Sequence, residues 1–492
     1  MVRSDPIVIG KGAAQSTLYL PLACHHGLIA GSSGTGKTHS IKVLAEGFSL
    51  RGVPVFVADP RGDLAGLSLP GRADPTLRDR ATAIGVKDYR EQGFPTRFWD
   101  LLAEQGHPVR ATVSEVGPVV LARMLGLNAA QQSLVHVAFQ VADQRGIVLL
   151  DLQDLRVLLN FLRDNAAELA SSCGHISTAS ISAIARRLLT LERQGGAQLF
   201  GEPALDVGDL LAVDGAGQGT INLLAADRWM IAGKLYAGLM LWLLGELYES
   251  MPEVTDQARP KLAFFFDEAQ YAFRGASPAL VRQIETAIQR LRRRGVAVYL
   301  VARSPMEIPK PLRAQLDVHF WHGLRASALR DPGLLGAMGE HWPEITGDVA
   351  QILAELAVGE ALVSIAKAPG LDRWTDRTMI RPPCSRVGPV SQEERSAVVA
   401  ASPIAGRYEQ RSDRRSARAR MRRRVAVRQA SSAERGTSPP HNPPEVAKGK
   451  DTKRTPRAAV DGLKLPELAG LDSSFSRVDL PISRGTLGAM VR

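Results

Sequence analysis

Eight consecutive residues limit what this chain can fold into more than any others: Gly31-Ser32-Ser33-Gly34-Thr35-Gly36-Lys37-Thr38. They fit the phosphate-binding pattern G-x-x-x-x-G-K-[ST] at every fixed position. Gly27-Leu28-Ile29-Ala30 runs into them as a short apolar strand. Beyond them Ile41, Leu44, Ala45 and Phe48 recur at helical spacing, so Lys37, Thr38 and His39 fall in the first turn of a helix. Glycines let the backbone curl until several N–H groups point inward, and the helix N-terminus adds partial positive charge. Such a loop cradles nucleotide phosphates with its backbone. Lys37 is then the residue that reaches the β- and γ-phosphates, and the Thr38 hydroxyl the one that holds Mg2+.

Composition places the loop in a globular protein. The 492 residues suffice for two or three domains, and 45% hydrophobic with 23% charged residues is ordinary for a soluble chain. The most apolar stretch, Leu235 to Leu247, is interrupted by Gly238 and Gly245 and is too short to span a bilayer, so it reads as a buried helix. The N-terminus lacks a signal-peptide layout. Cys24, Cys173 and Cys384 are odd in number and far apart, which argues against a disulfide framework or a zinc site and for a reduced, cytoplasmic protein. His25-His26 and His319/His322 have no carboxylate or thiol at ligand spacing and read as structural or surface histidines.

Along the chain, Leu18 to Leu22 reads as a strand before the loop. Val53 to Ala58 reads as a second core strand after the first helix, completing a right-handed βαβ unit. It ends at Asp59-Pro60-Arg61-Gly62-Asp63, at the carboxyl edge where open α/β sheets bind ligands. Asp59 or Asp63 is placed there to touch Mg2+ or its waters; the same five residues also make an ordinary turn. Helical periodicity dominates Val116–Val141, Leu149–Ala167, Ser177–Glu192 and Lys234–Glu249, with Thr220 to Leu224 as a strand that rejoins the sheet.

The core resumes at Lys261-Leu262-Ala263-Phe264-Phe265-Phe266-Asp267-Glu268. A continuous apolar run implies a strand buried on both faces, and its two terminal carboxylates have the form of a Walker B element. In that form Asp267 holds Mg2+ through water and Glu268 polarises the attacking water, with the two side chains on opposite faces of the strand. A helix at Pro278–Arg294 leads to a strand at Val296–Ala302, which ends at Arg303-Ser304-Pro305, the position where many such ATPases place a polar residue that senses the γ-phosphate. Strands at Val318–His322 and Ala361–Ile365 follow. In chain order the carboxylate strand lies between the phosphate-loop strand and the sensor strand. The expected fold class is therefore α/β, a RecA-like, additional-strand P-loop NTPase core carrying Walker A and Walker B elements. Its parts are residues 1–71 and 261–391, with a mainly helical insertion at 72–260 and a basic, low-complexity, disordered tail at 392–492.

These stretches, with Gly106-His107-Pro108-Val109-Arg110, Phe200 to Leu205, Ile221 to Asp227 and Gly359 to Ser364, resemble the HerA/FtsK-type P-loop ATPases, and most closely the HerA-like, YjgR-type bacterial branch. The resemblance spans roughly residues 5 to 410. It implies Mg2+-dependent ATP hydrolysis, a homohexameric ring and motor work on DNA as a helicase or translocase. A nuclease or another protein is an implied partner. The chain departs from the family at three positions: Arg303 replaces a glutamine, Gln270 a histidine and His319 an arginine. Arg303 then either senses the γ-phosphate or pairs with Glu268 and slows hydrolysis. Arg325 and Arg330, after the fifth core strand, are candidates for the arginine that completes a neighbouring subunit's site.

The net charge of +11 is concentrated. Arg411 to Arg424 holds eight arginines and one aspartate, a net +7 that leaves +4 for the remainder. With the Pro- and Lys-rich sequence after it and almost no aromatics, this tail suits sequence-independent phosphate neutralisation, not base stacking. Two function classes follow: a DNA-moving ATPase, or a nucleotide-dependent switch or scaffold that hydrolyses weakly and acts through a protein partner.

Overall fold

In the computed structural model, a twelve-stranded mixed sheet carries the molecule. The structure describes residues 6–412 apart from 88, 174–175, 227–232, 255–257, 326–327, 342–347 and 367–372. The strands are β1 Ile7–Lys11, β2 Gln15–Leu18, β3 Gly27–Ala30, β4 Val55–Asp59, β5 Thr96–Asp100, β6 His107–Pro108, β7 Ile221–Ala225, β8 Leu262–Phe266, β9 Val296–Ala302, β10 Val318–Trp321, β11 Glu360–Ala366 and β12 Arg373–Ile380. Their order is β2-β1-β12-β11-β10-β3-β9-β8-β4-β7-β5-β6. From β10 to β6 neighbouring strands are parallel; the β10, β11, β12, β1, β2 side is antiparallel.

In space β9 lies between β3 and β8. The strand inserted between the phosphate-loop and carboxylate strands is the additional strand of a RecA-like core. β3, β4, β7, β8, β9 and β10 are buried along their whole length, as continuous apolar runs in a parallel sheet require. Their parallel direction brings Gly31, Asp59, Asp267, Arg303 and His322, the residues after β3, within β4 and after β8, β9 and β10, to one edge.

Three local expectations change. The strand before the loop stops at Leu18, and Leu20–Ala23 is one helical turn. Pro21 lacks an N–H and fixes φ, so it suits a first helical turn better than a ladder. The Val116–Val141 periodicity divides into helices Val113–Leu125 and Ala129–Gln144. Gly126 caps the first in a left-handed conformation (φ 62°), and Asn128 with Gln131 forms a capping box on the second. Residues 72–260 supply β5, β6 and β7 to the sheet as well as helices.

Helix Gly233–Ser250 is buried from Leu235 through Gly245 and again at Leu247. Among the described residues no helix is long and apolar enough to cross a membrane. Helix Gln392–Ala400 packs on β5, with the Arg395 guanidinium 4.5 Å from the Phe98 ring centroid. The chain then returns to residues 202–209. Tyr408 is buried, Arg407 pairs with Asp206 and Asp209 at 2.8 Å, and Ser412 bridges to Glu202. Residues 392–412, expected from the sequence to be part of a disordered tail, are therefore packed on the protein, and the sequence from 413 onward lies outside the described residues.

Candidate nucleotide site

The phosphate loop is held from three sides. Gly31, Gly34 and Gly36 have φ of 156°, 82° and 118°. At Gly36, the N-cap of helix Lys37–Ser49, a Cβ would also lie 3.1 Å from the Gly359 nitrogen. Ser32 N donates to Gly323 O (3.0 Å), Gly359 N to Thr35 O (3.2 Å) and Thr35 Oγ1 to Ser32 O (2.8 Å). Beneath the loop His322 is fully buried. Its Nδ1 is 2.9 Å from Glu360 O and its Nε2 3.0 Å from Ser40 Oγ. A carbonyl must face an N–H, so Nδ1 carries the proton and Nε2 accepts from the Ser40 hydroxyl. Burial pulls the pKa down to about 4, which keeps the ring neutral. His322 is thus a structural histidine of the site floor, and His319 Nε2 is bound to Leu316 O.

Lys37 is buried, with its ammonium 2.6 Å from Gly31 O and 3.1 Å from Ser32 O. Burial lowers its pKa, and the charges of Asp267 and Glu268 oppose that shift. Burial lowers His39 as well, with Lys42 and Arg80 adding to it. Gly34, Gly36, Lys37, Thr38, His39, Lys42, Arg61 and Asp63 line one cleft of about 310 Å³.

The carboxylate pair departs from an alternating strand. β8 ends at Phe266, and Glu268 has φ 50°, a left-handed conformation uncommon outside glycine. Asp267 and Glu268 therefore sit in a turn, and the opposite-faces expectation does not hold. Asp267 Oδ1 accepts from Glu268 N at 2.8 Å, and the Tyr236 hydroxyl donates to Asp267 O at 2.5 Å. Arg123 adds a tie from the helical layer, donating to Ala272 O and Arg274 O at 2.9 Å. Burial, then the Glu268 charge, push Asp267 up to about 6; Arg61 and Lys37 oppose this. A buried carboxylate raised by a like charge is the donor that a divalent cation relieves.

Glu268 is gripped. Its Oε2 lies 3.1 Å from Arg303 Nε and accepts from Gln270 Nε2. Two of the family departures, Arg303 and Gln270, thus meet on one carboxylate. Arg303 is 54% exposed and Glu268 9%. The pairing raises the Arg303 pKa, the Glu268 charge being the main cause.

Asp59 serves the turn: its Oδ2 accepts from Leu64 N (2.9 Å) and Ala65 N (3.1 Å), and burial raises it to about 6. That turn carries Arg61 into the cleft, with Nη2 3.4 Å from Thr38 Oγ1 and Nε 3.8 Å from Asp63 Oδ2. Arg61 is the cationic lining residue that sequence reasoning passed over. Two residues beyond the end of β4, in a turn, it carries no periodic signal; only the turn's position at the sheet edge points to it. Arg325 reaches the loop through its backbone, N donating to Ser32 Oγ at 3.0 Å, while its side chain is exposed. Arg330 is exposed in the turn Ala328–Arg330.

A family model described as "Helicase HerA-like C-terminal" matches residues 7–467. The chain belongs to that family. No curated protein matches it in sequence. Solved structures with a similar fold include the bacterial conjugative coupling protein TrwBΔN70 in an unbound monoclinic form, at 16% identity and TM-score 0.52, covering 78% of this chain and 92% of that one. The plasmid coupling protein TrwB with a non-hydrolysable GTP analogue gives TM-score 0.52 at 16% identity, covering 80% and 92%. TrwB with ADP and Mg2+ gives 0.50 at 16% identity, covering 79% and 94%. At that identity they establish the HerA-like chain's RecA-like fold.

Proposed function

We propose that this HerA-like protein is a Mg2+-dependent ATPase that moves along or remodels DNA, working in the cytoplasm as a homohexameric ring. The observation that carries the reading is the meeting, at one sheet edge, of the phosphate loop with the buried pair Asp267 and Glu268. In this reading backbone N–H groups from Gly31 to Thr38 hold the phosphates and Lys37 turns from the Gly31 and Ser32 carbonyls onto them. Thr38 and Asp267 would hold Mg2+, which would supply charge neutralisation at the phosphates. Glu268 accepts the proton of the attacking water. TrwB with ADP and Mg2+ is the structural precedent for those two ligands in this fold. Arg325 or Arg330 supplies the neighbouring subunit's arginine; mixed rings in which Arg325→Ala subunits fail only at their own sites would exclude Arg325 from that role.

The deciding measurement is steady-state ATPase activity with and without DNA, on the full chain and on a chain ending at Ser412. That end point keeps the buried Tyr408 and its partners. DNA-stimulated turnover, with a salt dependence of DNA binding that flattens in the shortened chain, is expected. Slow turnover indifferent to DNA would overturn the motor reading.

The second reading, a switch or scaffold with weak hydrolysis acting through a protein partner, is favoured by the ion pair between Arg303 and Glu268. A half-exposed pair of this kind is worth about 1 kcal/mol or less. Arg303→Gln is therefore expected to raise basal turnover up to about fivefold by releasing the carboxylate. A fall in turnover would instead assign Arg303 to the γ-phosphate.

A further inference from the structure

The cleft that contains the phosphate loop also has an apolar part to its lining. Val358 and Val387 line it together with Gly388. Both valines are exposed, at 73% and 46%, on the wall of an otherwise charged cleft. Exposure of single valines is unremarkable on a surface. Here two of them, 29 positions apart in the sequence, are each tied to the phosphate-binding helix or its loop.

Val358 precedes Gly359, whose N donates to Thr35 O and whose O accepts from Ile380 N at 3.0 Å and from Arg80 Nη2 at 2.7 Å. The left-handed Gly359 (φ 85°) is thereby pinned, and Val358 stands on a rigid support beside the loop. Val387 follows Arg386, whose carbonyl accepts from the buried Lys42 ammonium at 2.6 Å. Lys42 lies on helix Lys37–Ser49, one turn beyond Thr38. The Arg386 side chain is held by Glu394 at 2.7 Å and its N donates to Leu69 O. Both apolar walls are thus fixed relative to the phosphate loop and its helix by hydrogen bonds.

A nucleotide needs such an arrangement: a polar end for the phosphates and, within one ligand length, apolar surfaces for a flat base. Lys37, Thr38, His39 and Arg61 are polar lining of the same cleft. We propose that Val358 and Val387 with Gly388 form the base clamp of this nucleotide site. The inference rests on the phosphate-loop reading above. The clamp binds through shape and apolar contact. The two valines carry no polar side-chain atoms and the Lys42 ammonium is engaged by Arg386 O, so the clamp itself discriminates weakly between adenine and guanine.

Calorimetric titration of the full chain with ATP, GTP and inorganic tripolyphosphate, each with Mg2+, separates the possibilities. Wild type is expected to bind ATP and GTP within a few-fold of each other and both about tenfold or more tighter than tripolyphosphate. Val358→Asp and Val387→Asp, both at exposed positions, should each bring the nucleotides down about tenfold toward tripolyphosphate and leave tripolyphosphate itself within about twofold. The milder Val358→Ala and Val387→Ala should fall in the same direction, which guards against an effect of the new charge. The clamp is wrong if wild type binds tripolyphosphate as tightly as ATP, or if the Asp variants lose both ligands equally. Wild type that binds none of the three would overturn the phosphate-loop reading itself.

Discussion

Lys37→Ala should lower ATP hydrolysis at least about 100-fold while the protein stays folded. The charge that develops on a transferring phosphoryl group is the largest electrostatic demand at such a site, and Lys37 is the cation rooted in the loop itself. Its ammonium is already out of water and donates to two loop carbonyls. The lost interaction is therefore a charge acting in a poorly solvated cleft, where it counts for more than at the surface. The fold should survive because the loop keeps its other ties: Ser32 N to Gly323 O, Thr35 O to Gly359 N, and Ser40 N to Gly36 O. Thermal unfolding within a few degrees of wild type, with turnover near background, is the expected pair of results. Near-normal hydrolysis by the folded variant would remove this loop from the chemistry.

How much of this site can be read from the sequence depends on the range of the interactions that build it. The phosphate loop and β8 are legible because their signals are local: fixed glycine spacing in one, and an apolar run ending in two carboxylates in the other. The pairing of β7 with β4 and β5 is also foreshadowed by a short apolar run between helices. The conformation of Glu268 is not legible. Alternation along β8 assigns it the face opposite Asp267, but the turn held by Asp267 Oδ1, Tyr236 and Arg123 places it at φ 50°. The Leu18–Leu22 error has the same origin at smaller scale, a local apolar pattern overruled by one proline. Arg61, Val358 and Val387 gain their meaning from chain segments that meet only in the folded sheet. Arg303 lies between these extremes: the sequence leaves two outcomes open for it, and the 3.1 Å contact with Glu268 favours the pairing.

Glu268→Gln tests the other half of the chemistry, and its expected result is retention of ATP with loss of turnover. The change keeps the side chain's size and removes both its charge and its capacity to accept a proton. A positioned general base contributes about 100- to 10,000-fold, so kcat should fall within that range. Nucleotide binding should hold or tighten, because Glu268 is the charge that, after burial, raises Asp267. Neutralising it lets Asp267 ionise more readily and favours Mg2+ there. The new amide fits its neighbours. With its oxygen in the Oε2 position it can still accept from both Arg303 Nε and Gln270 Nε2, the two donors that meet there. Large structural loss is therefore not expected, and the variant isolates the base from the scaffold. After rapid removal of free nucleotide the variant should retain unhydrolysed ATP where wild type retains ADP. Single-turnover hydrolysis at the wild-type rate would show that the proton leaves by another route, and Glu268 would then be only the partner that holds Arg303 in place.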